Sequence, residues 1–187
     1  MRIELKTAGN PVKDEVLEMA KGQKKVVIAG ENPIERKDLV DIIKDMDCEE
    51  ILIETDGQNL EANLDKLKSA GLTGVIININ TMRHSRYAKT HDGKELNNVI
   101  AGINKAINND IYVRVNVSLE KGFSDDEILD FVQLTLQHKY DIVFMPTIPY
   151  DVIKGKMKLR PVEGDFGDIE LFKYVIGRGK IGFIKEA

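Results

Sequence analysis

Apolar residues recur along this chain in two alternating rhythms. Short runs rich in Val and Ile predict six strands: "RIEL" (2–5), "KVVIAG" (25–30), "EILIET" (50–55), "GVIININ" (74–80), "IYVRVNV" (111–117) and "DIVFM" (141–145). Between them the apolar positions fall three and four apart, which predicts helices near 12–21, 34–46, 59–70, 94–108 and 125–138. The fourth helix is the clearest, with Leu96, Val99, Ile100, Ile103 and Ile107 on one face. The fifth opens on "SDDE", where Ser124 can cap and Glu127 can bond back as a capping box. Strict β–α alternation with short connections implies right-handed parallel units. The expected fold is therefore α/β, a (β/α)6 partial TIM-type barrel on a parallel sheet.

Two segments echo one another. "AGNPVKDEVLEMA" (8–20) and "AGENPIERKDLVDI" (29–42) both place Asn-Pro ahead of a helix. Asn10 and Asn32 can serve as N-caps, with Pro11 and Pro33 as first helical residues, where the missing N–H costs nothing. The second loop, Gly30-Glu31-Asn32-Pro33, is also compatible with a ligand-binding turn. The tail breaks the alternation with "RPVEGDFGD" and a helix-like "IELFKYVIG" (169–177). Residues 1–149 are expected to form one barrel domain, and 150–187 an extension packed on it.

Composition narrows the classes of function. The 187 residues carry a net charge of −4 with dispersed cations, so neither nucleic acid nor an anionic membrane is an expected partner. One cysteine, Cys48, excludes a disulfide framework and a cysteine-held cluster within a single chain. No apolar run approaches the roughly 20 residues of a membrane span, and a cytoplasmic location is expected. His84, His91 and His138 are too scattered to suggest a metal site, and "GRGK" (177–180) is too short and too late for a phosphate loop.

In parallel β/α folds, ligands gather at the carboxyl ends of the strands. Polar residues at those ends are Lys6 and Thr7; Gly30, Glu31 and Asn32; Glu54, Thr55 and Asp56; Asn78 and Asn80; Arg114 and Asn116; and Thr147. Residues two apart share a strand face, so Asn78 with Asn80 and Arg114 with Asn116 form same-face pairs. The alternating Ile77, Ile79, Val113, Val115 and Val117 should face covering helices. Two readings stay open for the polar face: a mutually bonded structural network, or a pocket for a small polar molecule. Glu54 and Asp56 share a face as well, but two carboxylates alone do not make a cation site.

These residues carry a resemblance. "AGENPIERKDLVDII" is similar to the Gly-Gly-Glu-Pro loop and following helix of radical S-adenosylmethionine (SAM) enzymes, most closely the molybdenum-cofactor synthesis cyclase branch. "IETDGQNL" resembles that family's Thr-Asn-Gly strand end, and "AGLTGVIININT" its Ala-Gly-Leu turn and Val-Ser-Leu-Asp strand. "RYAKTHDGKELNNVIAGI" and "VRVNVSLEKGFSDDEILDFVQLTLQHKYDIVFMPTIP" resemble the crossover helix and the elements that follow it. The likeness runs from about Lys25 to Pro149.

The departures matter as much. The family binds a [4Fe–4S] cluster through Cys-x3-Cys-x2-Cys in a long loop after the first strand. Here that strand runs through "KTAGNPVKDEV" into a helix. In the degenerate Gly-Gly-Glu-Pro loop, Gly30 keeps the first glycine, Glu31 replaces the second and Asn32 replaces the acid. Arg114 and Asn116 match the family's basic residue and asparagine. The resemblance thus implies a cluster-less, radical-SAM-like protein binding a small polar or anionic ligand, SAM or nucleotide-like, at the C-terminal barrel mouth. Its ligand contacts would be Gly30, Glu31, Asn32, Glu54, Thr55, Asp56, Asn78, Asn80, Arg114 and Asn116. Two alternatives follow from the same departures. The chain could be the substrate-binding half of an oxidoreductase whose iron–sulfur part is on another chain, or it could be a non-catalytic scaffold. In the pocket, Arg114 needs a carboxylate partner, with Glu54 and Glu31 as candidates, or an anionic ligand.

Overall fold

The computed structural model describes residues 1–7, 9–30, 32–155, 158–164, 166–174 and 176–184. Among these residues the strands are β1 (Arg2–Leu5), β2 (Lys25–Gly30), β3 (Glu50–Thr55), β4 (Gly74–Ile79), β5 (Tyr112–Val117), β6 (Asp141–Phe144), β7 (Arg160–Pro161), β8 (Ile169–Lys173) and β9 (Ile181–Ile184). The helices are α1 (Lys13–Ala20), α2 (Leu39–Asp45), α3 (Leu60–Ala70), α4 (His84–Thr90), α5 (Leu96–Asn108), α6 (Ile128–Gln137) and α7 (Tyr150–Lys154). The class is α/β, with the (β/α)6 succession and mostly parallel sheet of a partial TIM-type barrel. No described helix is long and apolar enough to cross a membrane.

The chain forms two compact units, Met1–Ile77 with Asn97–Val113, and Asn78–Leu96 with Arg114–Ala187. In the first, β1, β2, β3 and β4 pair parallel in that order, with Ile3 opposite Ile28, Val26 opposite Ile51 and Ile53 opposite Val75. The start of β5 joins β4 there, Tyr112 N–H donating to the Thr73 carbonyl at 3.0 Å. The β-branched runs bury nearly all of their aliphatic side chains, and the helices present matching stripes: Val16 and Ala20 from α1, Leu39, Ile42 and Ile43 from α2, Leu60, Leu64 and Leu67 from α3. Val99, Ile103 and Ala106 of α5 are buried as the three-four spacing requires. Gly102 lets α5 approach closely, since a Cβ there would lie 2.9 Å from Leu60 Cβ.

In the second unit β5 and β6 pair parallel, Arg114 opposite Asp141, and β6 pairs parallel with β9. Antiparallel β8 and β7 follow β9. The helix expected over 169–177 is therefore wrong: Ile169–Lys173 is a strand. Its residues alternate, Ile169 and Leu171 buried and Glu170 exposed, which is the period of a strand with one covered face. Phe131, Phe144, Phe172, Phe183 and Tyr150 pack as an aromatic cluster, with ring centroids 5.1–6.5 Å apart. Tyr150 also donates its hydroxyl to the Phe144 carbonyl at 3.3 Å.

Three local expectations fail for physical reasons. Asn10 and Pro11 precede the helix; the cap is Val12, whose N–H donates to Glu15 Oε2 at 3.0 Å. The helix expected over 34–46 is split. Pro33–Glu35 is one 3-10 turn, Arg36 is extended with ψ 124°, and its guanidinium grips Asp38 at 2.6 and 2.9 Å before α2 begins. Residues 84–90, to which the apolar periodicity assigns no helix, form α4 with one buried side chain, Tyr87.

Gly30 closes β2 with φ +118°, and a Cβ at that position would sit 2.0 Å from the Leu5 carbonyl oxygen of β1. Both the backbone conformation and the clash penalise any side chain. Gly30→Ala should lower unfolding free energy by roughly 3 kcal/mol or more, read from urea denaturation. A loss under about 1 kcal/mol would show that β1 and β2 can separate at this point.

Candidate functional site

In the first unit, most of the candidate residues at the strand ends are engaged in building turns. Thr55 Oγ1 accepts from Gly57 N–H at 3.1 Å, and Asp56 Oδ1 accepts from Gln58 N–H at 3.1 Å. Together they bend the chain into α3, with Gly57 at φ +84°. Glu54 is gripped by the guanidinium of Arg2, whose Nη1 and Nη2 both reach its carboxylate. Arg2 also donates Nε to Glu4 at 2.7 Å. Asn32 adopts the left-handed conformation (φ 49°) ahead of Pro33, without a side-chain cap bond. Pro33 does take the first position of the turn. Glu31 lies outside the described residues.

In the second unit, β4 and β5 contribute a hydrogen-bonded relay. Arg114 Nε donates to Asn116 Oδ1 at 2.7 Å, and Asn116 Nδ2 donates to Asn78 Oδ1 at 2.9 Å. Asn116 is buried at 6% exposure, whereas Asn78 is exposed, so the polar face is wet at one edge rather than wholly interior. The alternating Ile79, Val115 and Val117 are buried. Asn80, just beyond β4, donates Nδ2 weakly to Thr90 Oγ1 at 3.4 Å and Glu120 Oε1 at 3.5 Å. Its Oδ1 is shielded from solvent and accepts no hydrogen bond among the described residues. A buried acceptor left open is uncommon, and it asks for a donor.

The segment after Asn80 is fixed by a carboxylate that the sequence reading assigned elsewhere. Glu127 is fully buried, and it accepts from Thr81 Oγ1 at 2.6 Å, Met82 N–H at 2.7 Å and Arg86 Nη1 at 2.6 Å. It therefore does not reach back to Ser124, and the capping box is not formed. Ser124 Oγ instead accepts from Glu120 N–H at 3.1 Å. Arg86 also grips Asp126 at 2.6 Å and holds that carboxyl below the usual carboxylate range. Arg83 bridges Asp126 and Asp130 at 3.1 and 3.5 Å. The signal for this network was Arg83-x2-Arg86 facing Asp126-Glu127-x2-Asp130, two complementary helical spacings.

His91 stacks on Tyr87 with centroids 4.0 Å apart, and its Nδ1 lies 2.8 Å from Thr90 Oγ1. Cys48 donates Sγ–H to the Ala20 carbonyl at 3.8 Å, and burial pushes its thiol up. One such thiol does not fit a cluster that takes three thiolates. Among the described residues, no three His, Cys, Asp or Glu side chains gather in a way that could hold a metal ion.

Residues 11–135 match the family model described as the Radical SAM superfamily. The chain is 33% identical over 146 residues to molybdenum cofactor biosynthesis protein 1 of Drosophila melanogaster, an alignment covering 73% of this chain and 26% of that protein. It is 32% identical over 188 residues to the GTP 3',8-cyclase of Moorella thermoacetica, covering 87% and 58% respectively. With the GTP 3',8-cyclase of Listeria monocytogenes it shares 35% over 133 residues, 68% of this chain and 40% of that one. The chain thus spans from about a quarter to under three-fifths of these relatives' length.

Removing the Glu127 carboxylate leaves Thr81 O–H and Met82 N–H without their acceptor. Glu127→Ala should cost about 3 kcal/mol through these two donors, one buried and one part-buried. Amide exchange at Met82 should accelerate with it. Unchanged protection at Met82 would mean that the loop is held by something other than this carboxylate.

Proposed function

Because the chain belongs to the Radical SAM superfamily, we propose that it binds a small polar ligand, SAM or nucleotide-like, at the carboxyl ends of β4 and β5, without a cluster of its own. The observation that carries this reading is Asn80 Oδ1, a buried acceptor with no donor among the described residues. An ammonium, a ribose hydroxyl or an exocyclic amine supplies that donor, and SAM and nucleotides carry several of these groups. Arg114, half-buried and held in place through Nε by Asn116, is the cation suited to a carboxylate or phosphate on the same guest. Asn78, exposed at the other end of the relay, completes the polar face.

The first unit adds less to this reading. Glu54 already has Arg2, and Thr55 and Asp56 already have their turn bonds. Gly30 is accounted for by its approach to Leu5. Asn32 and Glu31 remain part of the proposal only as the counterpart of the family's loop. With a single cysteine, radical generation by this chain would require an iron–sulfur centre from a partner. That is the second reading, in which the chain supplies the substrate side. It draws on the relatives named as GTP 3',8-cyclases and makes GTP the nucleotide to test first.

Thermal unfolding of wild type, Arg114→Ala and Asn80→Ala with SAM, S-adenosylhomocysteine, GTP and phosphate tests the proposal. A bound guest at one hundred times its Kd adds about 2.7 kcal/mol, a rise of roughly 5–10 °C for a chain of this size. Arg114→Ala should abolish that rise while leaving the ligand-free midpoint within about 2 °C. No rise with any of these ligands, together with a large loss of ligand-free stability in Arg114→Ala, would reduce the relay to a structural network.

A further inference from the structure

A cavity of about 350 Å³ lies between the Pro33–Glu35 turn, the start of α2 and one side of α3. All of its lining residues fall within 34–67 of the first unit, so it involves none of the residues of the β4–β5 relay. Its apolar lining includes Ile34, Leu39 and Leu67, and its polar lining carries three cations, Arg36, Lys37 and Lys66. The one carboxylate in the lining, Glu35, already accepts from Asn59 Nδ2 at 3.1 Å.

The cations are short of acceptors. Lys37 and Lys66 make no ion pair among the described residues, whereas Lys13, Lys24, Lys25 and Lys105 of the same unit each have an acidic partner. Arg36 is buried to 4% exposure and gives Nε and Nη2 to Asp38 at 2.6 and 2.9 Å. The guanidinium holds the Asp38 carboxyl below the usual carboxylate range, so the pair is ionised. Its remaining nitrogen, Nη1, is shielded from solvent and has no acceptor among the described residues. In a chain with a net charge of −4, three cations with one engaged carboxylate among them run against the overall balance.

We propose that this cavity binds a small molecule with an anionic head, phosphate or carboxylate, and a compact apolar body. The two lysines attract and hold the head, and Arg36, which also lines the cavity, adds its positive charge. Ile34, Leu39 and Leu67 cover the body, and the volume falls within the range of small-ligand pockets.

The test uses the whole chain and three probes of similar size: phenyl phosphate, phenylacetate and benzyl alcohol. Binding is followed by calorimetry and by methyl resonances of Ile34, Leu39 and Leu67. The proposal expects saturable binding of at least one anion, roughly tenfold or more tighter than the neutral alcohol, with shifts confined to those methyls. Which anion binds tighter identifies the head. The exposed double variant Lys37→Glu/Lys66→Glu, checked for an unchanged melting temperature, should lose that binding. Failure of both anions to saturate, or equal binding by the double variant, would overturn the proposal. Either result leaves the outcome at Arg114 and Asn80 untouched, because it reads a different set of residues.

Discussion

A polar group taken out of water must find its partner inside the fold, and much of this chain is arranged around that requirement. Glu127 shows the constraint most plainly. A fully buried carboxylate would be untenable alone, yet three donors converge on it, from Thr81, Met82 and Arg86. Those bonds fix the segment that follows β4 and tie α4 to the start of α6. Asn116 obeys the same rule with neutral groups, taking one bond from Arg114 and giving one to Asn78. The aliphatic faces of the strands supply the driving force for burial, but these polar contacts decide which loop conformation is compatible with it.

The strands were legible because their signal is local. Runs of Val and Ile with Gly or Asp boundaries leave few alternatives, and all six appear within a residue or so of their expected limits. The heptad-like face of α5 was equally plain. Elements failed where local pattern and tertiary demand diverge. α4 has a single buried residue, Tyr87, so no periodicity announces it. The stretch from Pro33 to Asp45 keeps a helical pattern, yet Arg36 breaks it to reach Asp38. Ile169–Lys173 alternates over only five residues, too few to outweigh its helix-like neighbours.

The candidate site was legible in part, and the division follows the reach of each interaction. Same-face pairs on one strand depend only on the period of two, so the link between Arg114 and Asn116 could be read directly. Partners from distant strands could not. Arg2 is 52 residues from Glu54 and drew no attention as a plain charged residue at the start of β1. Ser124 and Glu127 have the spacing of a capping box, and spacing alone cannot show that Arg86 and Thr81 compete for the same carboxylate and win. Charge-assisted bonds in a buried setting outweigh a single backbone cap.

What these contacts imply for function turns on cost. An apolar side chain at Asn116 would serve packing at least as well, since replacing buried polar groups by apolar ones of similar volume is often neutral or stabilising. Beside the relay, Asn80 presents an acceptor that nothing among the described residues fills. In the proposed reading a guest from outside the chain supplies the donor that Asn80 Oδ1 lacks, and that unfilled acceptor is the observation on which the proposal rests.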